Sequence, residues 1–244
     1  MGSTILIGIP AYGSTVSLAT FDSTHLLLQA LMTKGIRGGI GSISYPEVSE
    51  ARNVLLTSWY DGTDASHLLF VDADMGFAPQ LVLDMMMFNE PMVGAMYSKK
   101  VLPVQWAASG LGEDFTERRG DFMKIAGLGM GCFLIRRDVV DRMMEAMPDL
   151  SDTRVETHSA KHMLMKGRIL RFFDPLDDPK TGRMSEDLSF CYRWREKCGG
   201  EIWAAIGHDV EHVGLFSYTA NYLRHITEKE AAGEIQTPLS IAAE

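Results

Sequence analysis

Short apolar runs that stop at Pro, Gly or Asp, each followed by residues at helical spacing, constrain this chain more than any other feature. Thr4 to Ile9 is such a run; it ends in Pro10-Ala11-Tyr12-Gly13 and reads as a buried first strand entering a turn. From Ser17 to Lys34, the apolar residues Leu18, Phe21, Leu27, Leu28, Leu31 and Met32 fall on a helical stripe that Gly35 is placed to end. Glu47 to Trp59 predicts a second helix, with Val48, Ala51, Val54 and Leu55 facing inward and Arg52 and Asn53 carried along it. His67 to Val71 is an apolar strand halted by Asp72-Ala73-Asp74, and Pro79 suits the first turn of the Met-rich helix beyond.

Pro91 to Tyr97 and Met130 to Ile135 predict further strands, Gly110 to Gly120 a hairpin or loop, and Asp138 to Met147 a helix. Residues 149 to 184 mix Pro, Asp and Lys with short apolar runs such as Ile169 to Phe173, which predicts irregular structure with one strand. Ser185 as N-cap, Leu188, Tyr192 and Arg195 at helical spacing, and Gly199-Gly200 as a stop predict a helix over Glu186 to Cys198. A strand over Glu201 to Ile206 and a helix from Phe216 to about Ala232, with a frayed tail, complete the chain. At 244 residues this fits one α/β domain whose core needs no disulfide or structural metal.

Composition narrows the class. A hydrophobic fraction of 46% and a charged fraction of 23% exclude a collagen-like, disulfide-scaffold or disordered chain. The 23 Lys and Arg against 32 Asp and Glu give a net charge of −9, which disfavours wrapping a polyanion. Cys132, Cys191 and Cys198 form no C-x-x-C pair, so free, mostly buried thiols and a cytoplasmic setting are expected. The first residues lack a basic n-region, and Asp84, Asn89 and Glu90 interrupt the Met-rich stretch. Neither a secretory signal nor a transmembrane segment is therefore expected.

The chemistry-bearing residues sit at the ends of these elements. Asp72 and Asp74 put two carboxylates where a buried strand runs out, which suits a hard divalent cation that also takes phosphate oxygens; the bare tripeptide, taken alone, reads first as a polar turn. Glu186 and Asp187 lie in a helix's first turn, where the macrodipole favours acids and where one of them would serve as a base or acceptor anchor. His212 follows an apolar strand, as a metal ligand or a hydrogen-bonded histidine.

The order of these parts resembles the GT-A glycosyltransferases. Ile7-Gly8-Ile9-Pro10-Ala11-Tyr12, Glu50-Ala51-Arg52-Asn53 and Phe70-Val71-Asp72-Ala73-Asp74-Met75 look like that family's nucleotide-sugar half. Gly129 to Arg137 resembles its Gly-containing strand near the acceptor, Ser185 to Arg193 its acidic motif, and His212 falls where many members carry the last metal ligand. The resemblance implies a Rossmann-like α/β/α sandwich with a mixed, mostly parallel central sheet. It also implies a nucleoside-diphosphate sugar as donor, and Mn²⁺ or Mg²⁺ on the diphosphate. Carried over, Pro10, Ala11 and Tyr12 would line the nucleoside pocket, Arg52 would approach the ribose or diphosphate, Asp72 would hold ribose or the metal shell, and Asp74 and His212 would ligate the metal. Asp187, supported by Glu186, would be the base in an inverting reaction; similarity to retaining members leaves the stereochemistry open.

On this reading residues 1–244 form one catalytic domain, with a donor half over about 1–100, an acceptor half over about 101–215, and a C-terminal helix and tail over about 216–244. A sugar-phosphate nucleotidyltransferase and a non-catalytic nucleotide-sugar-binding module are the alternatives; the lack of Lys or Arg from Ala11 to Ser17 speaks against the first. The acceptor is open among a glycan, a lipid carrier, a protein, a small molecule and a modified nucleobase. His158 and His162 read as a polar pair, Gly127 to Gly131 precedes a strand and so fails as a dinucleotide fingerprint, and Trp106 is a weak sugar-stacking candidate beside Trp194 and Trp203.

Overall fold

The computed structural model describes residues 4–109, 117–154, 160–178 and 182–234. Strand β1 (Thr4–Pro10) leads to helix α1 (Leu18–Thr33), whose Ser17 Oγ accepts from Thr20 N–H at 3.1 Å as an N-cap. Then come β2 (Arg37–Ile43), α2 (Val48–Gly62), β3 (His67–Val71), β4 (Met75–Phe77), α3 (Pro79–Phe88) and β5 (Met92–Ala95). Pro79 opens α3, and Asn89 closes it in the left-handed region at φ 57°. The chain continues through β6 (Arg118–Arg119), β7 (Phe122–Ile125), β8 (Cys132–Arg136), α4 (Arg137–Ala146) and α5 (Glu186–Tyr192) to β9 (Ile202–Ala205), β10 (Val210–Val213), β11 (Ser217–Ala220) and α6 (Tyr222–Ala231).

The central sheet has eight strands in the order β2-β1-β3-β8-β5-β9-β7-β6. β1 pairs in parallel with β2 and β3, and β5 with β9; β8 runs against β3 and β5, and β7 against β9 and β6. Six strands therefore share one direction and two oppose it. The period-two alternation of β3 divides the core. Leu69 and Val71 pack with Leu27 and Leu31 of α1 and Leu81, Val82 and Met85 of α3; Leu68 and Phe70 pack with Val54 and Leu55 of α2, Val139 and Met143 of α4, and Phe190 of α5. The result is the Rossmann-like α/β/α sandwich.

Several elements differ from the sequence expectation. Ser217 to Ala220 is not the start of a tail helix but a strand antiparallel to β10, with alternating exposure along it. The helix from Glu186 is α-helical only to Tyr192 and continues as a π-helical turn over Arg193–Lys197. β2 and β7 lie where no strand was expected, and residues 149 to 184 hold two-residue pairings, Ser151–Asp152 with Ile169–Leu170 and Asp177–Asp178 with Gly182–Arg183. The expected excursion over Gly110 to Gly120 falls partly outside the described residues, as do His158 and the tail beyond residue 234; its described end forms the β6–β7 hairpin. Trp194 and Trp203 are fully buried, and Trp106 stands edge-on to Tyr222 at 4.8 Å, so all three pack against protein. The three cysteines are free. No described helix is long and apolar enough to cross a membrane.

Candidate functional site

β1 and β3 are parallel neighbours, so their carboxyl ends deliver Pro10 and Asp72 to one rim of the sheet, beside the point where β8 reverses direction. Crevices at such ends are where open α/β sheets take ligands. The turn after β3 is laced in place: Asp72 N–H donates to Gly131 O at 2.9 Å, Ser17 N–H to Ala73 O at 2.7 Å, and Met75 N–H to Thr20 Oγ1 at 2.9 Å. The N-terminal turn of α1 thereby fixes the two acids.

From the far side of the chain, β10 pairs antiparallel with β4, setting His212 opposite Met75, and Val213 N–H donates to Asp74 O at 2.8 Å. His212 Nδ1 lies 2.9 Å from Ser98 O; a carbonyl only accepts, so Nδ1 carries the proton. Its Nε2 stands 3.5 Å from Asp74 Oδ1. That oxygen is buried and makes no hydrogen bond among the described residues, while Oδ2 takes the ammonium of Lys100. Burial pushes the Asp74 carboxyl up, but the His212 and Lys100 contacts outweigh it and hold it below the usual carboxylate range.

Asp74, His212, Asp72, Pro10, Tyr12 and Val48 line an open cleft of about 520 Å³. The Tyr12 ring is 76% exposed on its rim. Ala11, expected beside it, turns into the core with 5% exposure while its N–H donates to Ile43 O at 2.8 Å, because strand alternation sends it to the opposite face.

Arg52 is 2% exposed. Its Nη2 donates to Asp72 Oδ1 at 2.8 Å and its Nη1 to Glu186 Oε1, while Nε is buried without a hydrogen bond among the described residues. Burial works against its charge, but Asp72, Glu186 and Asp187 outweigh burial and hold the guanidinium protonated far above its ordinary range. Arg52 thus lies behind the acids instead of on the cleft surface. Asp187 Oδ1 accepts from Leu188 N–H at 2.7 Å and from the Ser185 hydroxyl, capping its own helix. It does not line the cleft, although its charge reaches both Arg52 and Tyr97.

Of the three metal-ligand candidates, Asp74 and His212 face each other and Asp72 shares their cleft but is tied to Arg52. Among the described residues no three His, Cys, Asp or Glu side chains close as a ready ligand set. A divalent cation still fits the pair: a buried carboxylate oxygen with no hydrogen bond among the described residues stands 3.5 Å from the imidazole nitrogen that is not engaged by Ser98. Oxygen with imidazole favours Mn²⁺ over Mg²⁺, which prefers oxygen alone. Sequence reasoning missed Lys100, Tyr97, Thr20 and Ser98; the only signal was the basic pair Lys99-Lys100 directly after an apolar strand.

No family model and no curated protein matches the chain. Among solved structures it is similar to A197 from STIV, with 17% identity over 86% of both chains and a TM-score of 0.48. It is also similar to mannose-1-phosphate geranyltransferase from Thermus thermophilus, with 13% identity, 84% of this chain, 74% of that one and a TM-score of 0.43. A glycosyltransferase involved in glycosylation of the major capsid of PBCV-1 matches with 8% identity, 67% and 74% coverage and a TM-score of 0.35. Likenesses this distant carry no functional argument, which has to come from the chain's own side chains.

Proposed function

We propose that this protein is a metal-dependent glycosyltransferase that moves a sugar from a nucleoside-diphosphate sugar to an acceptor hydroxyl. The observation that carries this reading is the buried Asp74 Oδ1, without a hydrogen bond among the described residues, facing His212 Nε2 at 3.5 Å in a cleft at the carboxyl ends of parallel strands. A divalent cation bound there supplies positive charge against the negative charge that grows on a departing diphosphate.

The chain's residues divide the remaining work. Tyr12 offers an exposed ring for a base to stack on, and Pro10 and Val48 form the apolar wall beside it. Asp72, held by Arg52, accepts a ribose hydroxyl with the oxygen that Arg52 leaves free. In an inverting reaction the acceptor oxygen forms its bond to the anomeric carbon as the bond to diphosphate breaks. The hydroxyl proton passes to Asp187 Oδ2 from an acceptor bound on the α5 side, beyond the residues that line the cleft; this oxygen makes no hydrogen bond among the described residues. Glu186 bonds Arg52, whose charge Asp187 feels without bonding it.

The test is a panel of nucleoside-diphosphate sugars incubated with Mn²⁺, with Mg²⁺ and in chelator, followed by nucleoside-diphosphate release and thermal shift. One donor is expected to be hydrolysed slowly with Mn²⁺ and not in chelator, and Asp74→Ala to lose this while still unfolding cooperatively above the assay temperature. Undiminished turnover in chelator overturns the reading; pyrophosphate release from a nucleoside triphosphate and a sugar phosphate replaces it with nucleotidyl transfer.

A further inference from the structure

A diphosphate entering this cleft meets carboxylates first. Asp72 and Asp74 form its wall, and the charge of Arg52 is already shared between Asp72 and Glu186 beneath the surface. Lys100 is placed differently. Its ammonium bonds Asp74 Oδ2, its side chain keeps 35% exposure, and it makes no other hydrogen bond among the described residues. An ammonium has three donors, so two remain for a ligand.

The fold holds this side chain against Asp74, adjoining the cleft wall without forming part of it. Ser98 O anchors His212, Ser98 Oγ donates to Tyr218 O at 3.3 Å, and Lys99 N–H donates to Gln105 O at 2.6 Å, which pins the segment carrying Lys100 against β10 and β11. A Cβ at Gly214 would stand 3.2 Å from Lys100 Cδ and 3.3 Å from Tyr218 Cε2; the glycine leaves the lane along which the aliphatic stem runs. Lys100 also splits the Asp74 carboxylate: one oxygen is taken by the ammonium and the other faces His212 Nε2 at 3.5 Å.

We propose that Lys100 is a second, built-in cation of the diphosphate site: its ammonium bonds diphosphate oxygens directly, so part of the affinity for a nucleoside diphosphate does not depend on metal. This rests on the glycosyltransferase reading of the cleft and adds to it a named recognition residue. Because Lys100 is fixed beside Asp74, it also lowers the site's affinity for a bare divalent cation by like-charge repulsion.

The experiment is calorimetric titration of the wild type, Lys100→Met, Lys100→Arg and Gly214→Ala with UDP, GDP, CDP and ADP in chelator, then with Mn²⁺ alone. For whichever nucleotide binds the wild type in chelator, Lys100→Met is expected to lose at least tenfold in affinity and Lys100→Arg to recover most of it. Gly214→Ala, which keeps the charge and displaces the stem, is expected to lose severalfold. Mn²⁺ alone is expected to bind Lys100→Met several times more tightly than the wild type. Circular dichroism and the thermal midpoint separate loss of a contact from loss of the fold. Equal metal-free affinity in the wild type and Lys100→Met overturns the role of Lys100 while leaving the cleft reading intact. If Mn²⁺ binds and no nucleotide binds in chelator, the role of Lys100 falls alone; if neither Mn²⁺ nor any nucleotide binds the wild type under any condition, both fall.

Discussion

Arg52 Nη2 donates to Asp72 Oδ1 at 2.8 Å, with Arg52 itself buried in α2 and Asp72 at the mouth of the cleft. The same guanidinium reaches Glu186 at the start of α5, so one buried cation joins the acid at the end of β3 to the acid at the start of α5. Removing it would leave two acids facing a buried space with no compensation.

Arg52→Met is expected to cost about 3 kcal/mol of stability, read as the shift of a urea unfolding transition, because breaking a buried pair strands the remaining charges. Glu186→Gln in the Arg52→Met background should cost less than the sum of the two single changes, since the second removes a charge the first has stranded. Additive costs would show that the guanidinium does not join the two acids energetically.

Tyr12→Ala is expected to weaken nucleoside-diphosphate binding by about 1–3 kcal/mol, the range for loss of one base–aromatic stack, with the unfolding midpoint unchanged because the ring is exposed. Tyr12→Phe should bind nearly as well as the wild type. Calorimetry with the nucleotide identified above measures both, and equal loss in the two variants would assign the contact to the hydroxyl.

The parts of this fold legible in the sequence are those written locally. β3 and the two acids after it are marked by an unbroken apolar run and its polar stop, and α1 by Ser17 and Gly35 at its ends, although Leu18, Phe21 and Met32 of its apolar stripe face solvent. β2 is not marked, because Arg37-Gly38-Gly39-Ile40-Gly41-Ser42-Ile43 has little intrinsic strand preference and is held by its parallel pairing with β1. Ser217 to Ala220 likewise takes its conformation from β10 across a turn. In the site, Asp72, Asp74 and His212 carry recognisable chemistry. Lys100 does not, since a lysine after a strand says nothing until β10 and the turn at Asp74 are brought against it. Whether Arg52 meets solvent or two acids is decided by where α5 starts, 134 residues downstream of it.

Asp61, in the last turn of α2, anchors the irregular segment before α5. Its buried carboxylate accepts from Arg168 Nε at 2.9 Å and Nη2 at 2.7 Å, with Lys166 Nζ 3.2 Å away. Burial pushes this carboxyl up, but Arg168 and Lys166 outweigh it and hold it below the ordinary value. A folded-state pKa below the unfolded one stabilises the protein above the unfolded value, and that contribution disappears as pH falls through the folded one. Asp61→Asn should therefore cost about 2 kcal/mol at pH 7, the scale of a hydrogen bond to a charged group. The difference from the wild type should shrink below about pH 4, where the unfolded carboxyl begins to bind its proton. Urea midpoints of both proteins from pH 7 to pH 3 measure this, and a pH-independent difference would assign the cost to packing alone.

The two glycines around Met130 connect packing to the His212 site. A Cβ at Gly129 would lie 2.3 Å from the Tyr97 hydroxyl oxygen, and one at Gly131 would lie 2.8 Å from Tyr97 Cζ, so both clear room for that ring. Tyr97 in turn stands edge-on to His212 with centroids 5.3 Å apart, and its hydroxyl accepts from Gly131 N–H at 3.3 Å. Gly129→Ala must displace Tyr97, and with it the support of His212. The expected cost is about 1–3 kcal/mol of stability from overpacking. Mn²⁺ affinity should also fall about tenfold, as when a residue that orients a metal ligand is altered. Tyr97→Phe deletes the atom that the new methyl would strike, so the double variant should regain stability relative to Gly129→Ala. If it instead loses more, the methyl is accommodated by movement of β8, and Tyr97 does not transmit strain from the glycine strand to His212. Unfolding transitions with a parallel Mn²⁺ titration of the four proteins separate these outcomes, because recovery of stability and recovery of metal affinity should move together only if the ring is the link.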